Sequence, residues 1–197
     1  MLKLKVSGIS SLTDARYCAG MGVQFLSLNF DEKGYSTIEQ SAFFAIRPWI
    51  EGVEWIGEYS GSDSELLTEL ISSFDLKTWI VQANLDVSGF SPYINFIKEF
   101  SPQKEYLHGL PEGDFHVNLS KLDAEERFEF LQGALQKERL IFISNPVTVL
   151  ETELLSSSFP ELVFSLRSSE EDRPGWMDLG ALQDYLEELD DKGLLMS

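Results

Sequence analysis

Short runs rich in β-branched and aromatic residues alternate along this chain with segments whose apolar positions recur at intervals of three and four residues. The first pattern predicts strands at Leu2–Val6, Phe25–Phe30, Val53–Glu58, Thr78–Gln82, Glu105–His108, Phe115–Leu119, Leu140–Ser144 and Leu162–Leu166. The second predicts helices at Thr13–Met21, Ile38–Ile46, Ser64–Phe74, Pro92–Phe100, Ala124–Gln136, Val147–Leu155 and Asp178–Leu189. Strand and helix alternating in this way point to a parallel sheet joined by crossover helices. Eight such strands are the number that closes an α/β barrel, whereas a doubly wound open sheet rarely needs eight units of this size. The fold class is therefore α/β, a single (β/α)8 TIM-type barrel domain over residues 1–197. One crossover helix, after the fifth strand, is expected to be missing, because the link Leu110–Asp114 is short and carries Pro111 and Gly113.

Helix boundaries carry matching chemistry. Ser11 or Thr13 stands before the first helix, Ser64 at the third and Asp178 at the last, while Gly20 and Gly22 fit the end of the first. In the last helix Leu179, Leu182, Tyr185, Leu186 and Leu189 form one apolar stripe for the sheet. Trp49, Trp55 and Trp79 are expected between the strand and helix layers, each with an indole N–H in need of a partner. Trp176 lies in a Pro-Gly turn, where it shields the barrel mouth or a subunit contact, or staples the final helix.

Length and charge narrow the picture. A chain of 197 residues suits one domain, at the short end for a barrel, and a hydrophobic fraction of 43% with 24% charged residues is that of a folded globular protein. With 33 acidic against 15 basic residues, the formal charge of -18 repels phosphate backbones and anionic lipid, so neither nucleic acid nor membrane is an expected partner. Acidic runs such as Glu125-Glu126 and Glu187-Glu188 read as solvated helix faces. The lone Cys18 cannot form an internal disulfide, and with only His108 and His116 beside it no zinc cluster is available. No metal or cofactor is expected. The opening MLKLKVSGIS has no apolar run long enough for a signal peptide and no later stretch approaches a membrane span, so a cytoplasmic location follows.

The opening Lys3-Leu4-Lys5-Val6-Ser7-Gly8-Ile9, then Leu12-Thr13-Asp14-Ala15-Arg16 and Gly20-Met21-Gly22-Val23, resembles the first strand, loop and helix of phosphoribosylanthranilate isomerases, which begin K-x-C-G-I. Val53-Glu54-Trp55-Ile56-Gly57 is similar to that family's third strand and Val81-Gln82 to the end of its fourth. Near the tail, Ser168-Ser169-Glu170, Arg173-Pro174-Gly175 and Asp178 resemble the family's S-S-G, P-G and K-D pattern. The resemblance covers both ends and the first half; residues 85 to 135 align poorly.

What the resemblance implies for chemistry is an Amadori rearrangement, in which an acid opens the ribose ring and a base removes the proton at C2. The family's base is a cysteine closing the first strand; here that position is Ser7, whose hydroxyl yields no useful anion near neutral pH without another base. Cys18 lies inside the first predicted helix and reads as a small buried hydrophobe. The family's acid is an aspartate closing the sixth strand; Asn118 or Ser120 stands there, and an amide does not donate a proton as a carboxylic acid does. Asp123 reads as a helix cap. The family's substrate-holding arginine after the second strand is absent from Asp31-Glu32-Lys33-Gly34-Tyr35-Ser36, where Lys33 reads as an exposed loop residue without the planar fork of arginine. For the phosphate, Ser144 and Asn145 replace the glycines after the seventh strand, and Arg167, Ser168 and Ser169 follow the eighth with Glu170 close behind.

Read for their own chemistry, the polar strand ends Asn29, Asp31, Glu58, Gln82, Asn84, His108, Asn118, Ser144 and Arg167 would converge on one barrel mouth. Glu58 and His108 form the evident carboxylate–imidazole pair. These readings point to a divergent isomerase-like barrel, monomer or homodimer, whose isomerase activity is weak or lost and whose mouth serves another small phosphorylated or anionic ligand. An authentic isomerase using substituted residues and a non-catalytic interaction protein are the alternatives.

Overall fold

The computed structural model describes residues 2–100, 113–119, 121–134, 140–144, 148–167 and 180–195. Its strands are β1 (Lys3–Ser7), β2 (Phe25–Phe30), β3 (Glu54–Tyr59), β4 (Thr78–Gln82), β5 (Asn95–Phe100), β6 (Phe115–Asn118), β7 (Ile141–Ser144) and β8 (Leu162–Arg167). They pair in chain order, all parallel, and β1 closes the barrel on β8 from Lys3↔Val163 to Ser7↔Arg167. Around them lie α1 (Leu12–Gly20), α2 (Gln40–Ile46), α3 (Ser64–Phe74), α4 (Ala124–Ala134), α5 (Val149–Ser158) and α6 (Gly180–Asp191), with a 3-10 turn at Arg47–Trp49. Among the described residues no helix is long and apolar enough to cross a membrane.

Alternation along the strands divides their side chains between two environments. Leu4 and Val6 of β1, Leu26 and Leu28 of β2 and Trp79 and Val81 of β4 face outward into the main core under the helices. Facing inward, Ile56, Ile80, Ile97, Phe142 and Val163 form a separate cluster with Phe25 and Leu140, and Phe25 meets Phe142 edge-on with ring centroids 5.4 Å apart. The lumen is therefore plugged by side chains, as a barrel of this size requires. The inward positions next along the strands, towards their carboxyl ends, are polar, and they build the site described below.

Seven of the eight strands fall within a residue or two of the expected positions; the fifth does not. Pro92–Phe100 was expected as a helix, but Asn95–Phe100 is β5, in parallel register with β4 from Thr78↔Asn95 to Gln82↔Glu99. Ile94, Phe96, Ile97 and Phe100 satisfy a helical spacing, yet the run is short and aromatic-rich, and such a run takes the strand that pairing on both sides offers. Turns without a helix carry the chain from Gln82 to Asn95. The segment expected as the fifth strand, Glu105–His108, lies outside the described residues, as does most of the link after it, Leu110–Asp114, that was expected to lack a helix.

Ser11 caps α1, accepting from Asp14 N–H at 3.2 Å. Asp63, not Ser64, caps α3, its carboxylate accepting from Glu65 and Leu66 N–H at 2.9 and 3.2 Å. Thr148 caps α5. Trp55 and Trp79 are buried as expected, and Trp79 Nε1 donates to Leu76 O at 3.1 Å. Trp49 departs from expectation: it is 66% exposed, with the Arg16 guanidinium 6.0 Å from its ring centroid. A residue of a short 3-10 turn has no layer above it to pack against. Trp176 and Asp178 lie outside the described residues.

Candidate functional site

Above the apolar plug, the inward residues of β1, β2 and β3 converge on one carboxylate. Glu58 Oε1 accepts from Lys5 Nζ at 2.5 Å and from Ser7 Oγ at 2.7 Å, and also from Ser27 Oγ. Their places follow from period-two alternation, since Lys5 and Ser7 share the face opposite Leu4 and Val6, and Ser27 the face opposite Leu26 and Leu28. Lys5 is wholly buried, whereas Glu58 keeps 20% of its side chain open. Burial pushes the Glu58 carboxyl up, but the Lys5 ammonium, the His116 ring and the hydrogen bonds from Lys5 and Ser27 outweigh it and bring it down to about 2. It is an ion at any physiological pH.

A second pair stands on β5 and β6. Glu99 and His116 are register partners, and His116 Nδ1 lies 3.2 Å from Glu99 Oε1, an ion-pair contact without hydrogen-bond alignment. His116 is only 4% exposed, and neither ring nitrogen has a hydrogen-bond partner. The contact with His116 holds the Glu99 carboxyl below its usual range, against the opposing effect of burial.

The structure brings together part of what the sequence offered. Ser7, Asn29, Glu58, Gln82, Asn118, Ser144 and Arg167 occupy inward positions at the carboxyl ends of their strands. Asp31 and Asn84 lie in the loops beyond, where Asp31 Oδ1 accepts from the Lys33 and Tyr35 N–H groups. Ser144 Oγ donates to Val117 O at 3.3 Å, and Arg167 is exposed at the rim. Asn145, Ser168, Ser169, Ser120 and His108 lie outside the described residues, so the Glu58–His108 pairing does too. Lys33 is an exposed loop residue. Asp123 joins α4 in a reciprocal cap, its Oδ1 accepting from Glu126 N–H while Glu126 Oε2 accepts from Asp123 N–H, each at 3.0 Å. Cys18 is buried in α1, where burial first and Asp14 second push its thiol up to about 12.

Sequence reasoning passed over Lys5, Ser27, Glu99 and His116. The polar face of an alternating strand reads as solvent-facing, and only closure of the barrel turns it into the lumen. Period-two parity was the available signal, since Lys5 shares its face with Ser7 and His116 shares its face with Asn118. No group of three or more His, Cys, Asp or Glu side chains arranged to hold a metal occurs among the described residues.

No family model and no curated protein matches this chain. Solved structures do. Phosphoribosylanthranilate isomerase from Thermus thermophilus is similar with a TM-score of 0.70 at 18% identity, over 97% of this chain and 100% of that one. The enzyme from Thermotoga maritima gives 0.71 at 17% identity, over 98% and 100%. A phosphoribosylanthranilate isomerase in complex with reduced 1-(o-carboxyphenylamino)-1-deoxyribulose 5-phosphate gives 0.72 at 18%, again over 98% and 100%. The likeness read from the first strand and the tail thus extends, as fold, along the whole chain.

Proposed function

We propose that this chain is a divergent barrel of the phosphoribosylanthranilate isomerase type in which the Amadori chemistry has been lost and the mouth serves another small ligand, in the cytosol, as a monomer or homodimer. The observation that carries this reading is the hydrogen bond from Ser7 Oγ to Glu58 Oε1. The hydroxyl at the base position has a carboxylate as its neighbour, and a carboxylate at about 2 is far too weak a base to draw off a hydroxyl proton at neutral pH. The bonds that the same oxygen accepts from Lys5 and Ser27 are part of what holds it there. The acid position on β6 is filled by an amide, Asn118, and the loop after β2 offers an exposed Lys33 in place of an arginine.

The test is a fluorescence assay of the purified chain with phosphoribosylanthranilate generated in situ, run beside Ser7→Ala and Ser7→Cys. Native protein is expected to show no turnover. Ser7→Cys is expected to stay inactive as well, because the Glu58 carboxylate beside a new thiol disfavours the thiolate. Turnover by the native chain that disappears in Ser7→Ala would overturn the reading and return the chain to the isomerases.

A further inference from the structure

At the end of the barrel away from the mouth, a cleft of about 350 Å³ opens where β3 and β4 begin. The 3-10 turn that follows α2 and the left-handed turn at Asp75 that ends α3 bring Arg47, Ile50, Leu76 and Lys77 to its sides. Ile50 and Leu76 are buried and Val53 is half-buried, so part of the wall is apolar. Trp55 completes that wall. It is 8% exposed and packs edge-on against Phe43 with ring centroids 5.2 Å apart, and its buried Nε1 has no hydrogen-bond partner. Trp79 on the neighbouring strand shows the ordinary outcome, since its Nε1 donates to Leu76 O. A buried N–H left unpaired costs free energy, which an acceptor placed in the cleft recovers.

On the polar side of the cleft the groups are unevenly matched. Thr78 Oγ1 donates to Glu54 Oε1 at 2.6 Å, so these two serve each other. Arg47 Nη1 stands 3.5 Å from Asp75 Oδ2 and donates to Asp75 O at 3.3 Å, but the Asp75 side chain is 77% exposed and the pair is a loose one. Lys77 is exposed and has no ion pair among the described residues. Arg47 and Lys77 balance Glu54 and Asp75, so net charge selects nothing; what stands unmatched is a set of donors, the Trp55 N–H, the Lys77 ammonium and the remaining Arg47 N–H groups. We infer that this cleft binds a small carboxylate with an apolar body. The body lies against Ile50, Val53 and Leu76, and the carboxylate accepts from Trp55 Nε1–H and from Lys77, with Arg47 and Lys77, long side chains at the rim, adjusting to admit it. A carboxylate brings acceptors only, whereas an amine would set donors against donors. Reaction chemistry in such barrels gathers at the opposite, carboxyl-terminal face, so this is a binding site that stands whatever the mouth does.

Hexanoate, hexanamide and hexylamine share one tail and differ in the head group, so titrating the full, isotope-labelled chain with each of them isolates the carboxylate. The assigned Trp55 indole N–H resonance is followed by NMR in about 0.15 M salt, which screens the acidic surface. Hexanoate is expected to move that resonance saturably in the direction of a stronger hydrogen bond, hexanamide to bind more weakly and hexylamine not at all. Lys77→Met is expected to weaken hexanoate roughly threefold or more, and because Lys77 is exposed its replacement leaves the barrel folded. No saturable shift, a shift shared equally by the Trp49 and Trp79 indoles, hexylamine binding as well as hexanoate, or equal affinity in the native chain and Lys77→Met would each overturn the inference.

Discussion

Glu58 gathers an ammonium and two hydroxyls on one oxygen, and the consequences differ for each partner. Lys5 is wholly buried and has no other ion-pair partner among the described residues, so Glu58→Gln leaves a charge in the lumen without its counter-ion. Breaking a buried pair from one side is expected to cost roughly 3–5 kcal/mol, while Lys5→Met with Glu58→Leu, which removes both charges, should recover most of that loss. Urea unfolding of the two variants measures the difference. The same pair sets a pH dependence. The folded carboxyl lies at about 2 against an ordinary 4.5, so its stabilisation is present above pH 4.5 and is lost as the pH falls from there towards 2. The shift corresponds to something on the order of 3 kcal/mol. Unfolding free energy measured between pH 7 and pH 3 should fall more steeply for the native chain than for the doubly substituted one, and parallel profiles would exclude Glu58 as the source. At this scale the sequence made half the site legible. Ser7, Asn29, Glu58 and Asn118 stood out as strand ends, whereas Lys5 and Ser27 sit one inward step further from the mouth, where a sequence gives no sign that polar residues are needed.

Strands and helices depend on local chemistry that is easier to read. Gly57 on β3 faces outward beneath the Trp79 ring, and a Cβ there would come within 2.4 Å of Trp79 Cε3. Trp79 is fully buried and packs against Phe30 with ring centroids 5.2 Å apart, so it has nowhere to retreat. Gly57→Ala is therefore expected to destabilise by about 1–3 kcal/mol, with partial rescue by Trp79→Leu; thermal melts of the single and double variants decide it. At the start of α3, Asp63→Ala removes the acceptor of two backbone N–H groups and should cost about 1 kcal/mol, while Ser64→Ala, at the residue first expected as the cap, should cost only a few tenths. A melt in which the Ser64 variant suffers more would reverse the assignment. Seven strands and six helices were legible because the strands are short runs rich in β-branched and aromatic residues and the helices are longer segments with apolar positions three and four apart. The segment Ile94–Phe100 was not, because Ile94, Phe96, Ile97 and Phe100 fit both periods and seven residues are too few to separate them. What decides is non-local: the edges of β4 and β6 need a strand between them, and the inward position of Ile97 fills the plug with Ile56, Ile80 and Val163.

Over the whole molecule, 33 acidic residues meet only 15 basic ones, so even if every cation paired with a separate carboxylate, at least 18 acids would remain without one. The surface pairs present, such as Lys3–Glu161 at 2.7 Å and Lys192–Glu153 at 3.0 Å, are partly solvated and each contributes little. Two opposing effects of salt follow. Screening weakens those pairs, and it also weakens the mutual repulsion of the unpaired acids, which act over the longer distances that salt cuts off first. The imbalance of 18 makes the second effect the larger, while the buried Lys5–Glu58 pair is shielded from both. Raising sodium chloride from about 0.01 M to 0.3 M, which shortens the screening length from about 30 Å to under 10 Å, is therefore expected to raise the melting temperature by several degrees. A melting temperature that stays flat or falls would mean that the few attractive pairs outweigh the excess of negative charge. A rise of equal size in the variant carrying both Lys5→Met and Glu58→Leu would place the effect on the surface, because that variant lacks only the charges that salt does not reach.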